Sequence, residues 1–214
     1  MDHLTASSSA TRGLDPAKRR AILEGAQAVF LRDGFAAASM DDVARAAGVG
    51  KMTVYRHFGS KDALFRDMLR EICGGVFFDA DIPRGLELDA ELARLGRAFV
   101  DLVTDPQRLS TYRLALAEAE RTPDVSKLFY EGAVVPVCDI VAARLTAHAP
   151  ALSADDGRMW AGLFLQMVQG HAFMRLLMNL DREPDRRVFD AQIALASRIV
   201  AAEVAPHDGR ARRS

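Results

Sequence analysis

The chain has 214 residues, half of them apolar, with 28 Lys or Arg against 29 Asp or Glu and a formal net charge of -1. That is enough for one large domain or two modest ones with a real core, so the chain is expected to be globular. No stretch approaches the roughly 18 uninterrupted apolar residues of a membrane span and no apolar signal core follows a basic start, so a soluble, cytoplasmic protein is expected.

Residues 1–70 hold 11 basic and 8 acidic side chains, leaving 17 and 21 of the totals for the remainder. A weakly basic front fits a polyanionic partner. Cys73 and Cys138 lack the close Cys or His spacing of a metal site or redox motif and read as free buried thiols of a reducing compartment. His3, His57, His148, His171 and His207 are scattered, and HExxH, GxSxG and phosphate-loop patterns are absent. No metal, cofactor or enzymatic activity is expected.

In chain order, residues 1–14 are small, polar and aperiodic, an expected disordered arm; Arg12 either frays with it or reaches a minor groove. Asp15-Pro16 starts a helix, because Asp accepts from free first-turn amides and proline loses nothing at the first helical position. Ile22, Leu23, Ala26, Val29 and Phe30 recur at helical spacing up to a stop at Gly34. Ser39 caps a short helix, with Asp42 in the capping-box position. Gly48-Val49-Gly50 forms a turn, and a helix from Lys51 puts Val54 and Phe58 inward and Met52, Thr53 and Arg56 outward, with Tyr55 and His57 on the flanks. Gly59 ends it, and Ser60 caps a helix with Leu64, Phe65, Met68 and Leu69 buried.

Beyond Gly74-Gly75 the composition changes, with Pro83 and Gly85 marking a loop. Leu88 to Leu102 makes one helix up to Asp105-Pro106, and Leu109, Tyr112 and Leu116 make another. A third is expected over Pro123 to His148, kinked at Pro136. A fourth, from Ser153 to about Leu180, is apolar nearly all round through Trp160, Leu163, Phe164, Met167, Phe173, Met174 and Leu177, so it must be covered twice. The last runs from Pro184 to about Val204 through Val188, Phe189, Ile193, Ile199 and Val200. The expected fold is all-α: a disordered arm over 1–14, a helix-turn-helix three-helix domain over 15–75, a larger helical bundle domain over 76–206, and a disordered basic tail over 207–214.

Two helices joined by a short glycine-containing turn are the core of a helix-turn-helix, whose second helix enters the major groove. The run from Ala47-Gly48-Val49-Gly50-Lys51-Met52-Thr53-Val54-Tyr55-Arg56-His57-Phe58-Gly59-Ser60-Lys61 to Leu64 closely resembles the signature of the TetR family of bacterial transcriptional repressors. Gly50 stands where that family commonly has a serine cap and Met52 where it usually has a small residue, so no operator is inherited from relatives. The resemblance implies a DNA-binding surface of Ser39, Lys51, Met52, Thr53, Tyr55, Arg56, His57 and Lys61. Within it Ser39, Tyr55, His57 and Lys61 would position the duplex through its backbone, while Met52, Thr53 and Arg56 would read bases. Arg56 would read a guanine through O6 and N7, or else make a phosphate contact or stand as a solvated charge.

The resemblance also implies a homodimer on double-stranded DNA, paired through the last two long helices over a palindromic operator. Ala161, Gly162, Gly170 and Ala172 in the first, and Ala191, Ala194, Ala196 and Ala201 in the second, would allow close packing. An effector pocket is implied in the helical domain, with candidate walls Phe99, Tyr112, Leu116, Phe129, Val137, Trp160, Phe164, Met167 and His171. Such residues also build ordinary cores, and His171 fits a satisfied core histidine. The segment from Arg108 through Glu118 and Arg121 to Phe129-Tyr130 is similar to one TetR subgroup, with Glu118, Glu120 and Arg121 reading as a helix-end ion-pair cluster. The expected function is a repressor released by a small lipophilic effector. A constitutive regulator or activator without an inducer is the alternative, and an all-α enzyme a more remote one.

Overall fold

A computed structural model of the chain describes residues 15–78 and 85–204, with side chains for 15–72 and 85–204. The expected arm with Arg12, the loop at Pro83, the tail over 207–214 and the Cys73 side chain lie outside the described residues. The described residues form ten α-helices and one π-helical turn, with no strand among them.

Helix α1 (Pro16–Ala37) begins as the sequence implies: the Asp15 carboxylate accepts from the Ala17 amide at 3.0 Å, and Pro16 sits in the first turn. The stop expected at Gly34 is a break rather than an end, since Gly34 takes φ 77° and ψ 164° and the chain turns on to Ala37. Helices α2 (Met40–Ala46), α3 (Lys51–Phe58) and α4 (Lys61–Phe78) follow. Helix α4 runs through Gly74-Gly75, so the division expected at residue 75 falls inside a helix. Ile22, Val43, Val54 and Leu64 close a first core around Phe30, Phe35 and Phe65, whose ring centroids lie 5.1 to 5.4 Å apart. Burial of each such side chain is worth about 1.5–3 kcal/mol.

Helices α5 (Leu88–Thr104) and α6 (Pro106–Glu118) meet at Asp105, whose carboxylate accepts from the amides of Gln107 and Arg108. The single kinked helix expected over Pro123 to His148 is three pieces: α7 (Pro123–Phe129), a π turn (Tyr130–Val134) and α8 (Val135–His148). Pro136 is the cause. It has no amide to give the carbonyl four residues back, so the chain widens by one residue, Val135 bonds the Tyr130 carbonyl, and the proline enters the first turn of α8. Val125 and Leu128 of α7 join the first core, tying the later helices to the front of the chain.

Helix α9 (Ala154–Leu177) is capped by Ser153 as expected and broken at Gly170, which takes φ 48° and ψ -156°. The Gln192 side chain from α10 (Arg186–Val204) fills the notch, and a Cβ at position 170 would collide with it. At the far end of α9, Arg113 donates to the carbonyls of Leu176 and Leu177. A second core, with Leu92, Leu95, Leu145, Phe164, Phe189 and Ile193, fills the space among α5, α8, α9 and α10.

Several expected inward positions face outward. Leu116 is 53% exposed, and Leu163, Met174, Val188 and Ile199 are also exposed. Conversely, Ala161 and Ala196, expected at an intersubunit seam, are fully buried in the chain's own core. Ala191 and Ala194 of α10, expected at the same seam, are exposed.

Candidate nucleic-acid interface and effector cavity

The corner between α2 and α3 is built by local hydrogen bonds. Gly48 takes φ 64°, which lets its amide reach the Arg45 carbonyl and the Val49 amide reach the Ala44 carbonyl at 3.0 Å. Val49 then tucks against the first core, and α3 departs with Val54 and Phe58 buried. Gly50 provides no side-chain cap, and the Gly50 carbonyl accepts from the Thr53 amide at 2.8 Å.

This geometry turns a mixed face of α3 outward. Met52 is 77% exposed, Lys51, Tyr55 and Arg56 are exposed, and Thr53 and His57 are half-buried. The Lys51 ammonium pairs with Asp41 at 2.8 Å and lies 5.8 Å from the Tyr55 ring centroid, and the Asp41 hydrogen bond holds the ammonium above its ordinary pKa. Arg56 lies against the His57 ring, with 3.4 Å between Nε and Nε2. No acidic residue occupies α3, while Arg56 and His57 close its last turn.

Ser39 caps α2 as expected, and Lys61 has a role beyond the one read from the sequence. The Ser39 hydroxyl accepts from the Asp42 amide at 3.1 Å and donates to the Asp42 carboxylate at 2.5 Å. That hydrogen bond, with Arg45 beside it, holds Asp42 below the usual carboxylate range. The Lys61 ammonium donates to the carbonyls of Phe35 (2.7 Å), Ala36 (3.1 Å) and Ala38 (3.0 Å) and lies 4.6 Å from the Phe35 ring centroid. All three of its donors close the carbonyl end of α1. A phosphate contact by Lys61 or Ser39 therefore has to compete with a bond already made.

The helical part holds a cavity of about 270 Å³. Phe99, Tyr112, Phe129 and Val137, all expected as walls, line it; Leu116, Trp160, Phe164, Met167 and His171 do not. Phe164 is core, Trp160 and Met167 pack against that core, and His171 and Leu116 are exposed. The periodicity of α9 identified an apolar helix but not which of its faces meets the cavity; that face carries Gly162, Leu165, Gln166 and Gln169. Tyr112 stacks edge-on against Phe129 and Phe173 at 5.1 and 5.5 Å, and burial pushes its phenol above the ordinary value.

Other walls come from places the sequence reading did not consider. Leu69 and Ile72 of α4 form one side, Tyr130 and Ala133 of the π turn another, and Arg108 a polar edge. Arg108 stands one helical turn before Tyr112, a spacing visible in the sequence. Leu69 and Ile72 gave no such signal, because their helix reads as part of the front module. Cys138 is a free, half-buried cavity wall, and burial, then Asp139, push its thiol above the ordinary pKa. Among the described residues no group of three or more His, Cys, Asp or Glu is placed to hold a metal ion.

The model for bacterial regulatory proteins of the tetR family matches residues 22–68, and that for the C-terminal domain of AefR-like transcriptional repressors matches residues 90–203. The transcriptional regulator BetI of Rhizobium meliloti is 34% identical over 123 residues, covering 54% of this chain and 59% of that protein's length. The transcriptional repressor AcnR of Corynebacterium efficiens is 26% identical over 163 residues, covering 75% and 78%. Among solved structures, the flavonoid-responsive regulator FrrA superposes with a TM-score of 0.70 at 27% identity, covering 89% of this chain and 98% of that one. A regulator from Mesorhizobium loti shares the fold at 22% identity and a TM-score of 0.66, covering 88% and 98%.

Proposed function

The chain belongs to the tetR family of bacterial regulatory proteins, and from that premise we propose that it is a ligand-responsive homodimeric repressor of a palindromic operator, released by a small lipophilic effector. The reading surface is Met52, Thr53 and Arg56 for bases, with Lys51, Tyr55 and His57 on the backbone and Ser39 and Lys61 supporting the corner from behind. The front module ends within α4, the helical module follows it, and the protein works in the cytoplasm with the DNA it reads.

The observation that carries the inducible reading is the position of the cavity. Leu69 and Ile72 in its wall belong to α4, the helix whose first residue, Lys61, closes the end of α1. An occupant of the cavity thus touches the helix that supports the reading corner. It displaces DNA to the extent that it binds the released state more tightly than the bound one, and reversing a 99:1 balance takes a preference of about 10⁴-fold. The flavonoid-responsive relative lends support to an effector-driven reading, and the cavity favours it over a constitutive regulator. Leu163, Met174, Leu195 and Ile199, apolar and exposed on α9 and α10, support pairing through those two helices.

The test is a gel shift on DNA upstream of the chain's own gene. A discrete complex at low salt that weakens steeply as salt rises is expected. No discrete complex at any salt concentration overturns the repressor reading.

A further inference from the structure

The cavity's polar groups are unevenly distributed, and their chemistry narrows its occupant. Among the described residues its walls include no Asp or Glu, and Arg108 is the only cationic side chain there. Arg108 Nε donates to the Ile72 carbonyl at 2.7 Å, which fixes the plane of the guanidinium at the α4 side of the cavity. Among the described residues no carboxylate lies within ion-pair distance of it. Thr111 and Tyr112 follow on the same face of α6, and Gln166 and Gln169 offer carboxamide donors from α9. Apart from the Cys138 thiol and Gly162, the rest of the described lining is aromatic or aliphatic, and the volume of about 270 Å³ lies just below the usual ligand-site range of about 300–1,000 Å³.

We propose that the effector is a compact amphipathic organic anion whose acidic group pairs with Arg108 while its apolar body lies among Phe99, Phe129, Val137 and Leu165. This rests on the cavity being the effector site and adds the charge of the ligand. A half-buried guanidinium beside apolar walls gains from an anion that brings its own hydrophobic body, and its planar fork suits a carboxylate or sulfonate. The Tyr112 phenol, protonated at neutral pH with burial raising its pKa further, donates to such a group instead of repelling it. Because Arg108 also bonds the α4 backbone, the anion would engage a side chain already tethered to the helix that carries the reading module.

Two fluorescent probes with the same naphthyl-phenylamine body separate charge from shape: 1-anilinonaphthalene-8-sulfonate, an anion, and N-phenyl-1-naphthylamine, its neutral counterpart. Both are titrated into the full-length wild-type protein, Arg108→Gln, Arg108→Lys, and two cavity-filling variants, Gly162→Phe and Val137→Phe. A Cβ at Gly162 has no atom within 4 Å, so a side chain there has open space to enter. The expected result is that Arg108→Gln weakens the sulfonate by about ten-fold or more, leaves the neutral probe within about two-fold, and that Arg108→Lys restores most of the loss. The filling variants lose both probes. If Arg108→Gln changes both probes alike or neither, while the filling variants still exclude them, the cavity site stands and the anion inference is overturned. If both filling variants bind both probes as wild type does, the effector-cavity reading falls and the inference with it.

Discussion

Arg56 and Lys61 sit five residues apart in one signature run, yet they have opposite surroundings. Arg56 is exposed and, among the described residues, its side chain is hydrogen-bonded to His57, which leaves the guanidinium on the outer face within reach of a base edge. Arg56→Ala is expected to cost roughly 1–3 kcal/mol at one operator base pair and to relax preference there, measured by binding to single-base operator variants. An unchanged preference reassigns Arg56 to the backbone. Lys61 instead closes three carbonyls at the end of α1. Lys61→Met leaves those carbonyls without their donor and is expected to lower stability by about 1 kcal/mol or more, read from the urea midpoint. It should leave the salt dependence of operator binding unchanged. A fall of about one in that slope would place Lys61 on a phosphate after all. The sequence made both side chains legible as polar residues of a DNA-binding motif. The family resemblance separated Arg56, for bases, from Lys61, for the backbone, but the closure of α1 by Lys61 was not legible, because its partners lie more than twenty residues earlier and are carbonyls, which carry no side-chain signal.

At the scale of elements, helix starts were the most legible feature. Asp15, Ser39, Ser60, Asp105 and Ser153 each accept a first-turn amide, because a cap is a contact between residues two or three apart. Breaks within helices were less legible. Pro136 announced a disturbance, but whether the chain kinks or widens depends on what packs beside it. The break at Gly170 was invisible in the sequence, since glycine in an apolar helix also serves close packing. Gly170→Ala is expected to cost about 1–3 kcal/mol from the positive φ alone, plus the collision with Gln192. Urea unfolding of Gly170→Ala and of Gly170→Ala with Gln192→Ala separates the two contributions: the second variant should recover the collision and retain the backbone penalty. Wild-type stability in the single variant would mean that α9 has no need of the break.

At the scale of the molecule, one core joins α1 to α4 with α7 and a second fills the remaining helices, and the cavity draws walls from both, Leu69 from the first and Phe99, Val137 and Leu165 from the second. The proposed homodimer would cover the apolar side chains exposed on α9 and α10. Glutamate at Leu195, which is 52% exposed, is expected to convert dimers to monomers in sedimentation while preserving the helical circular dichroism spectrum, and to abolish operator binding. A dimer that persists moves the interface elsewhere. Paired reading heads leave a signature in the DNA itself, which makes selection of bound sequences from a random pool the most direct test of a homodimeric operator reader. A two-fold symmetric motif is predicted, with half-sites centred about 34–36 Å apart or a multiple of that distance. An unpaired half-site, or no enrichment above the starting pool, would contradict it.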